Sequence, residues 1–411
     1  MKKLTGPFSQ ILPHDGLAMH GAIEDSALRI IENGGIVIEN GIILETGIFN
    51  ELYAKYPGIT VEETTTQNVL IPGFIDCHTH ICFAGHRAKD YSLRIQGKSY
   101  LEIAKSGGGI WDSVTQTRLA DEECLTALLQ GRVERHLSEG VTTIEVKSGY
   151  GLDIANELKQ LRAIKKVSTS SATDLVPTCL AAHLPPKDFD GHAVAYLDHL
   201  IRELLPLIKK ENLTNRIDIF IEEGAFSSND ARKYLQAAKV MGFELTVHAD
   251  QFSTGGLEVA LASGALSADH LEATSDKEIP LLKNAPTVAV VLPGASLGLG
   301  MSYAPARRFL DSGACLAIAS DWNPGSAPMG DLLMQAAVMS ASEKLSTAEV
   351  FAGLTFRAAK ALGLNDRGVL KSGMLADLQA YSCNDYREIL YHQGKMKPVH
   401  VWKKGIQIAE V

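Results

Sequence analysis

The sequence predicts an α/β protein: a (β/α)8 TIM-like barrel carrying a smaller β-sandwich domain built from both chain termini. Three observations predict it. From about residue 70 to 360, short apolar strand patterns alternate with helical stretches, as repeated β-α units around a parallel barrel require. Both ends of the chain instead carry β-type runs punctuated by tight-turn residues, which suggests that the termini pair with each other. Polar or ionisable residues recur at the predicted strand ends of the middle region, the place where barrel enzymes build their sites. The implied boundaries are 1–67 and 363–411 for the β-sandwich and 68–362 for the barrel.

Length and composition agree with this reading. A chain of 411 residues, 45% hydrophobic and 21% charged, suits a large barrel with an elaboration and a sizeable core. The net charge of -9 argues against a nucleic-acid surface. No apolar run approaches the roughly 20 residues of a membrane span. The start, Met1-Lys-Lys-Leu-Thr-Gly-Pro7, lacks a signal-peptide hydrophobic region, so the expected location is the cytoplasm. The six cysteines form no Cys-x-x-Cys pair and read as reduced core thiols.

Taken in order, the first strands flank Asn40-Gly41, a hairpin turn inside the run Gly35–Glu45. Val69–Ile75 reads as one buried strand interrupted by Pro72-Gly73. The later strand candidates are 142–147, 175–179, 217–221, 244–248, 265–270, 287–292 and 316–321. Helices fit between them at 121–139, 155–167, 191–210 and 228–241. Ala376–Tyr381 and Val399–Ile408, the latter turning at Lys404-Gly405, close the terminal domain.

The chemistry lies at the strand ends. His78 and His80 are one residue apart, so an extended backbone projects both imidazoles to one face, where they can grip one ion. Cys77 alternates to the other face and is not a ligand. His248 alone would read as a hydrogen-bonded core histidine, and Asp321 alone as a turn aspartate before Trp-Asn-Pro-Gly. With His78 and His80 they complete a mononuclear metal site with room for water. A bound ion lowers the pKa of water and polarises a carbonyl. His270, at the next strand end, is then the natural general base and acid, and Asp321 is a second group able to share the proton. Lys147, at a mid-barrel strand end, raises a carboxylated-lysine bridge between two metals, but a single ion is expected.

These residues in order, Pro72–His80, His248, His270 and Asp321, resemble the amidohydrolase superfamily. The resemblance sharpens to the imidazolonepropionase family through Phe83–Ala88, Ser106–Ile110, Glu145–Leu152, Ala181–His183, Glu222–Phe226, Leu266–Leu271, Leu292–Ala295 and Ser320–Gly325. It implies hydrolysis of 4-imidazolone-5-propanoate to N-formimidoyl-L-glutamate in histidine degradation, with one zinc or iron ion per chain.

The family implies substrate contacts at matching positions. Arg87 would bind the propionate through its planar fork. Tyr150 would donate its hydroxyl, and His183 would hydrogen-bond the ring or its carbonyl. Asn323, Gly325 and Ser326 would form a polar loop beside the metal. Three residues after His248 many members carry Glu, whereas this chain has Gln251. An amide binds but accepts no proton at neutral pH, so Gln251 is expected to contact substrate while His270 and Asp321 move protons. The loop Gly298–Tyr303 departs from the family pattern, and Gly107-Gly108-Gly109 would permit a flexible segment. A different cyclic amidase or an aromatic deaminase would share the ligands without the Arg87, Tyr150 and His183 set. A non-catalytic barrel scaffold would be expected to lose ligands, and none is missing. Sequence alone assigns no oligomeric state; a homodimer, common among enzymes of this size, is the expectation.

Overall fold

The computed structural model describes residues 2–64, 67–98, 102 and 107–410. Ser106 of the glycine-rich motif lies outside them. The first strands are β1 (Lys2–Ile11), β2 (Ile31–Glu39), β3 (Ile42–Ile48), β4 (Thr60–Glu63) and β5 (Asn68–Pro72). The barrel follows as β6 (Phe74–Asp76), β7 (Val141–Lys147), β8 (Asp174–Ala182), β9 (Arg216–Ile219), β10 (Glu244–Ala249), β11 (Ser267–His270), β12 (Val288–Val291) and β13 (Leu316–Ile318). The chain ends with β14 (Leu378–Ser382), β15 (His400–Lys403) and β16 (Ile406–Glu410).

Strands β6 to β13 pair in sequence order and in parallel. The ring closes between the last and first strands through three bonds rather than a regular ladder. Ser320 N–H donates to Asp76 Oδ1 at 3.0 Å. Beyond it, Asp321 N–H donates to the His78 carbonyl at 3.0 Å and His80 N–H to the Trp322 carbonyl at 2.9 Å. Helices on the outside start where the sequence supplies caps. Asp121, Asp153 and Ser227 each accept the backbone N–H three residues on, opening Glu122–Ser138, Ile154–Ser170 and Ser228–Val240. The predicted helix 191–210 is broken into Ala193–His199, a π-turn at Leu200–Leu204, and Leu205–Glu211. Pro206 has no N–H for the helical bond at that point, which accounts for the interruption.

The termini form one sheet in the order β16-β15-β14-β5-β1-β2-β3, with β4 beside β1. It curls over its own core. Phe8 and Trp402 meet edge-to-face at 6.3 Å, and Ala376 N–H donates to the Gly41 carbonyl at 2.8 Å. Such a ring pair adds ~1 kcal/mol beyond its buried area. Both predicted hairpin turns are present, with φ of 51° and 82° at Asn40 and Gly41 and 48° and 73° at Lys404 and Gly405, as type I′ turns require.

The expected single strand over Val69–Ile75 is corrected. Residues 68–72 pair with β1 and β14 in the terminal sheet, and only Phe74–Asp76 enters the barrel. Pro72 donates no ladder bond. A Cβ at Gly73 would stand 2.5 Å from the Thr142 side chain, so the chain can pass between sheets only as glycine. A polar clasp then joins the two units. Asp174 at the start of β8 receives Arg367 Nη1 at 2.7 Å and Lys403 Nζ at 2.8 Å.

All six cysteines are free, and only Cys124 is exposed. No helix among the described residues is long and apolar enough to cross a membrane.

Candidate metal centre and substrate cleft

Beyond the end of β6, the chain stays extended and points His78 and His80 into the mouth of the barrel. His248 arrives from β10 and Asp321 from just after β13. His80 Nε2 lies 3.2 Å from both His78 Nε2 and His248 Nε2. Asp321 Oδ1 is 3.6 Å from His78 Nε2 and 3.4 Å from His80 Nε2. Tetrahedral ligands at 2.0–2.1 Å from a zinc-sized ion stand ~3.3 Å apart, so these spacings fit one ion. The donor chemistry fits as well. Burial drives His78 and His80 well below the ordinary histidine pKa, and His248 to about 3, leaving neutral rings with lone pairs to give. Burial also raises the Asp321 carboxyl to about 6, a cost that a cation would reverse.

Two carboxylates absent from the sequence reading hold these rings. Asp269 Oδ2 is 2.7 Å from His78 Nδ1, and Asp218 Oδ2 is 2.9 Å from His248 Nδ1. Carboxylates on Nδ1 orient the ring and leave Nε2 for the ion. The signal for Asp218 was in the sequence, a lone acid between two isoleucines, and a buried charge needs a partner; Asp269, in a strand shared with a serine and a histidine, gave no such contrast.

Lys147 is fully buried, with Nζ 2.7 Å from Glu145 Oε1 and 2.9 Å from Asp218 Oδ2. Burial opposes its charge, but Asp218, Glu145 and Asp269 outweigh burial and hold it protonated above the usual lysine value. An ammonium so engaged bridges no metals, which agrees with a single ion.

His270 ends β11 at φ 88°, Leu271 follows at 68°, and Asp321 sits at 47°. Left-handed backbone at non-glycine residues is strain of the kind found at working sites. His270 Nδ1 lies 3.5 Å from Glu272 Oε2. Burial alone would lower its pKa, but Glu272 together with Asp321 and Asp269 outweighs burial and raises it.

Above the ligands opens a cleft of about 160 Å³, small beside the ~300–1,000 Å³ of drug-sized ligand sites. Its walls bring together Arg87, Tyr150, His183, Gln251, Asn323, Gly325 and Ser326, as well as His80, His248, His270 and Asp321. Arg87 Nε donates to Asp90 Oδ2 at 2.8 Å, and the same oxygen accepts Gly109 N–H at 2.7 Å. A Cβ on Gly325 would stand 2.2 Å from Arg87 Nη1, so that glycine makes room for the guanidinium. His183 Nδ1 donates to the Gly149 carbonyl at 2.9 Å, and burial lowers its pKa to about 4. Tyr150 sits in a loop pinned by Glu157, whose Oε1 accepts both Gly151 and Leu152 N–H at 2.8 Å.

Asn323 is built into its own loop. Its Oδ1 accepts Gly325 and Ser326 N–H at 2.7 and 2.8 Å, and its Nδ2 donates to the Asp321 carbonyl at 2.7 Å. Glu222 anchors the loop that carries Gln251, accepting Phe252 and Ser253 N–H at 2.9 and 3.1 Å. Sequence reasoning missed Arg94, Phe220 and Phe252, which also line the cleft. Arg94 is two helical turns from Arg87, on the same face of Ala88–Ile95. It donates to the Gly298 carbonyl at 2.9 Å.

Comparison with known proteins agrees with this geometry. The model of the amidohydrolase family matches residues 69–408. An imidazolonepropionase of Myxococcus xanthus is 43% identical over 81% of this chain and 80% of its own length. One of Bacillus mycoides is 38% identical over 95% of this chain and 92% of its own. Among solved structures, an atrazine chlorohydrolase from Arthrobacter aurescens complexed with zinc superposes with a TM-score of 0.70 at 16% identity, covering 99% of this chain and 95% of that one. At that identity the likeness shows the fold alone. Fold, metal-ligand geometry and sequence relatives agree: the chain belongs to the amidohydrolase family and, within it, to the imidazolonepropionases.

Proposed function

We propose that this chain adds water across the cyclic amide C–N bond of 4-imidazolone-5-propanoate, giving N-formimidoyl-L-glutamate. The observation that carries the reading is one shared cleft, with four ligand groups converging at its floor and Arg87, Tyr150 and His183 on its walls. One zinc or iron ion per chain, held by His78, His80, His248 and Asp321, would lower the pKa of water and polarise the ring carbonyl.

The remaining work falls to side chains. Arg87 spends Nε on Asp90, which leaves its two terminal nitrogens for the propionate. His183 gives Nδ1–H to Gly149, so its Nε2 accepts a hydrogen bond from a ring N–H. Tyr150 and the Gln251 amide are donors toward the ring and its carbonyl. Gly325 and Ser326, on the loop shaped by Asn323, complete the polar wall beside Asp321. A bond forms between the water oxygen and the carbonyl carbon, and the ring C–N bond breaks. Asp321 and His270 carry the water proton to the departing nitrogen.

The net charge of -9 is unsuited to a polyanion. The working form we propose is a cytoplasmic homodimer acting on a small molecule, free of membrane and nucleic acid.

Hydrolysis of freshly generated 4-imidazolone-5-propanoate, followed by loss of ring absorbance with and without chelator, tests the reading. Elemental analysis of the same preparation should find about one ion per chain and turnover that depends on it. Metal without turnover would point instead to another cyclic amidase or deaminase reaction.

A further inference from the structure

Lys147 lies beneath the cleft, fully buried and absent from its walls. The carboxylate oxygens it faces are the ones that face the metal-ligand rings. Its Nζ is 2.9 Å from Asp218 Oδ2 and 3.8 Å from Asp269 Oδ2. Asp218 Oδ2 is 2.9 Å from His248 Nδ1, and Asp269 Oδ2 is 2.7 Å from His78 Nδ1. The arrangement is held from the outside too. Asp218 Oδ1 accepts Ile219 N–H at 2.7 Å, Thr246 Oγ1 donates to Asp269 Oδ2 at 3.1 Å, and Glu145 holds the ammonium at 2.7 Å.

We propose that Lys147 is a positioning residue for the metal centre: one buried ammonium organises two carboxylate–histidine pairs, fixing the ligand tautomer of His78 and His248 together. The ammonium favours the ionised form of the carboxylates it faces, and a carboxylate beside a ring Nδ1 favours the tautomer with hydrogen there. Both Nδ1 atoms then bear N–H, and both Nε2 lone pairs face the ion. Among the described residues no carboxylate stands within ion-pair distance of His80 Nδ1, whereas His78 and His248 each have one. The two pairs tied to Lys147 therefore carry the orientation of the centre. This inference rests on the metal-site part of the proposed function and not on the substrate.

Cobalt(II) tests it without substrate. Lys147→Met keeps roughly the volume and removes the charge. The metal-free variant is checked for folding by circular dichroism, its cobalt affinity is measured against a competing chelator, and the visible band of bound cobalt is recorded. Affinity should fall roughly 10–100-fold, the usual effect of losing outer support of a metal ligand, and the band should shift. Combined with Asp218→Asn, the losses should fall short of their sum, since both act through one network. Unchanged affinity and band in a folded Lys147→Met, or fully additive losses, would overturn the proposal. Should that variant not fold, Glu145→Gln with Lys147→Met removes one charge of each sign and is expected to show the same loss. In the unaltered zinc-loaded chain, nitrogen NMR should find hydrogen on Nδ1 of His78 and His248; hydrogen on Nε2 of either overturns it. An unaltered chain that binds no cobalt removes the metal reading and this proposal together. Cobalt binding without imidazolone hydrolysis removes only the substrate reading.

Discussion

The Asp321 backbone N–H donates to the His78 carbonyl at 3.0 Å, so two of the proposed metal ligands also form the hydrogen-bonded seam between the last and first barrel strands. The ligand spacing is thus set by barrel closure. One residue before Asp321 and two before His78, Ser320 N–H donates to Asp76 Oδ1, and Asp76 stands 3.1 Å from His136 Nε2.

Asp76→Ala would leave the buried Ser320 N–H without its partner and remove the carboxylate beside His136. The expected cost is about 3 kcal/mol of stability, read by denaturant unfolding, with reduced metal content in the folded fraction. Full stability with full metal content would show that the seam does not set the site.

Arg87→Lys keeps the charge and loses the fork. The expected result is a fall of roughly 10–100-fold in kcat/KM for imidazolonepropionate, from losing hydrogen bonds to a carboxylate. An imidazolone lacking the propionate should show no such difference between the two enzymes. Equal losses on both would remove Arg87 from propionate binding.

Gly325→Ala places a methyl where the Arg87 guanidinium lies, 2.2 Å from Nη1. KM should rise while the melting temperature stays within a few degrees of the parent. Wild-type kinetics would mean the loop yields and the glycine is not needed for Arg87.

Glu272→Gln removes one of the carboxylates that, against burial, raise the His270 pKa. If protonated His270 serves as the acid, activity is lost as pH rises through that pKa. The basic limb of kcat/KM against pH should therefore move to lower pH in the variant. A limb that stays in place would assign the proton to another group.

Asp174 tests the clasp between barrel and terminal sheet. Burial raises its pKa, but Lys403 and Arg367 outweigh burial and hold it at about 2 against an ordinary 3.8. A carboxylate depressed by folding stabilises above its unfolded pKa and loses that stabilisation as pH falls through the folded one. The contribution should be complete above about pH 4 and gone near pH 2. With solvent screening part of the group, it is worth about 1 kcal/mol. Unfolding free energies from pH 2 to 6 should show this slope in the parent and lose it in Asp174→Asn.

Much of the site was legible in the chain because its signals are local. His78 and His80 share a face through the two-residue period of an extended strand, and Asn40-Gly41 and Lys404-Gly405 name their turns through the left-handed backbone they must adopt. The strand-end positions of His248, His270 and Asp321 follow from the same periodicity once a barrel is assumed. What no local pattern carried was which strand stands beside which. The pairing of β9 with β10 and of β10 with β11 brings Asp218 to His248, and the ring closure brings Asp269 to His78. The break at Pro72-Gly73 handed residues 68–72 to the terminal sheet because Thr142, from a distant strand, leaves no room for a side chain. Asn323 lines the cleft, and only the folded loop shows that both its amide atoms also hold the turn through Ser326. Sequence by itself determined the candidate ligands, the turns and the barrel, since each depends on residues a few positions apart. Only the tertiary structure decided how the ligands are held, because buried charges choose partners across strands, where distance in space and distance along the chain are unrelated.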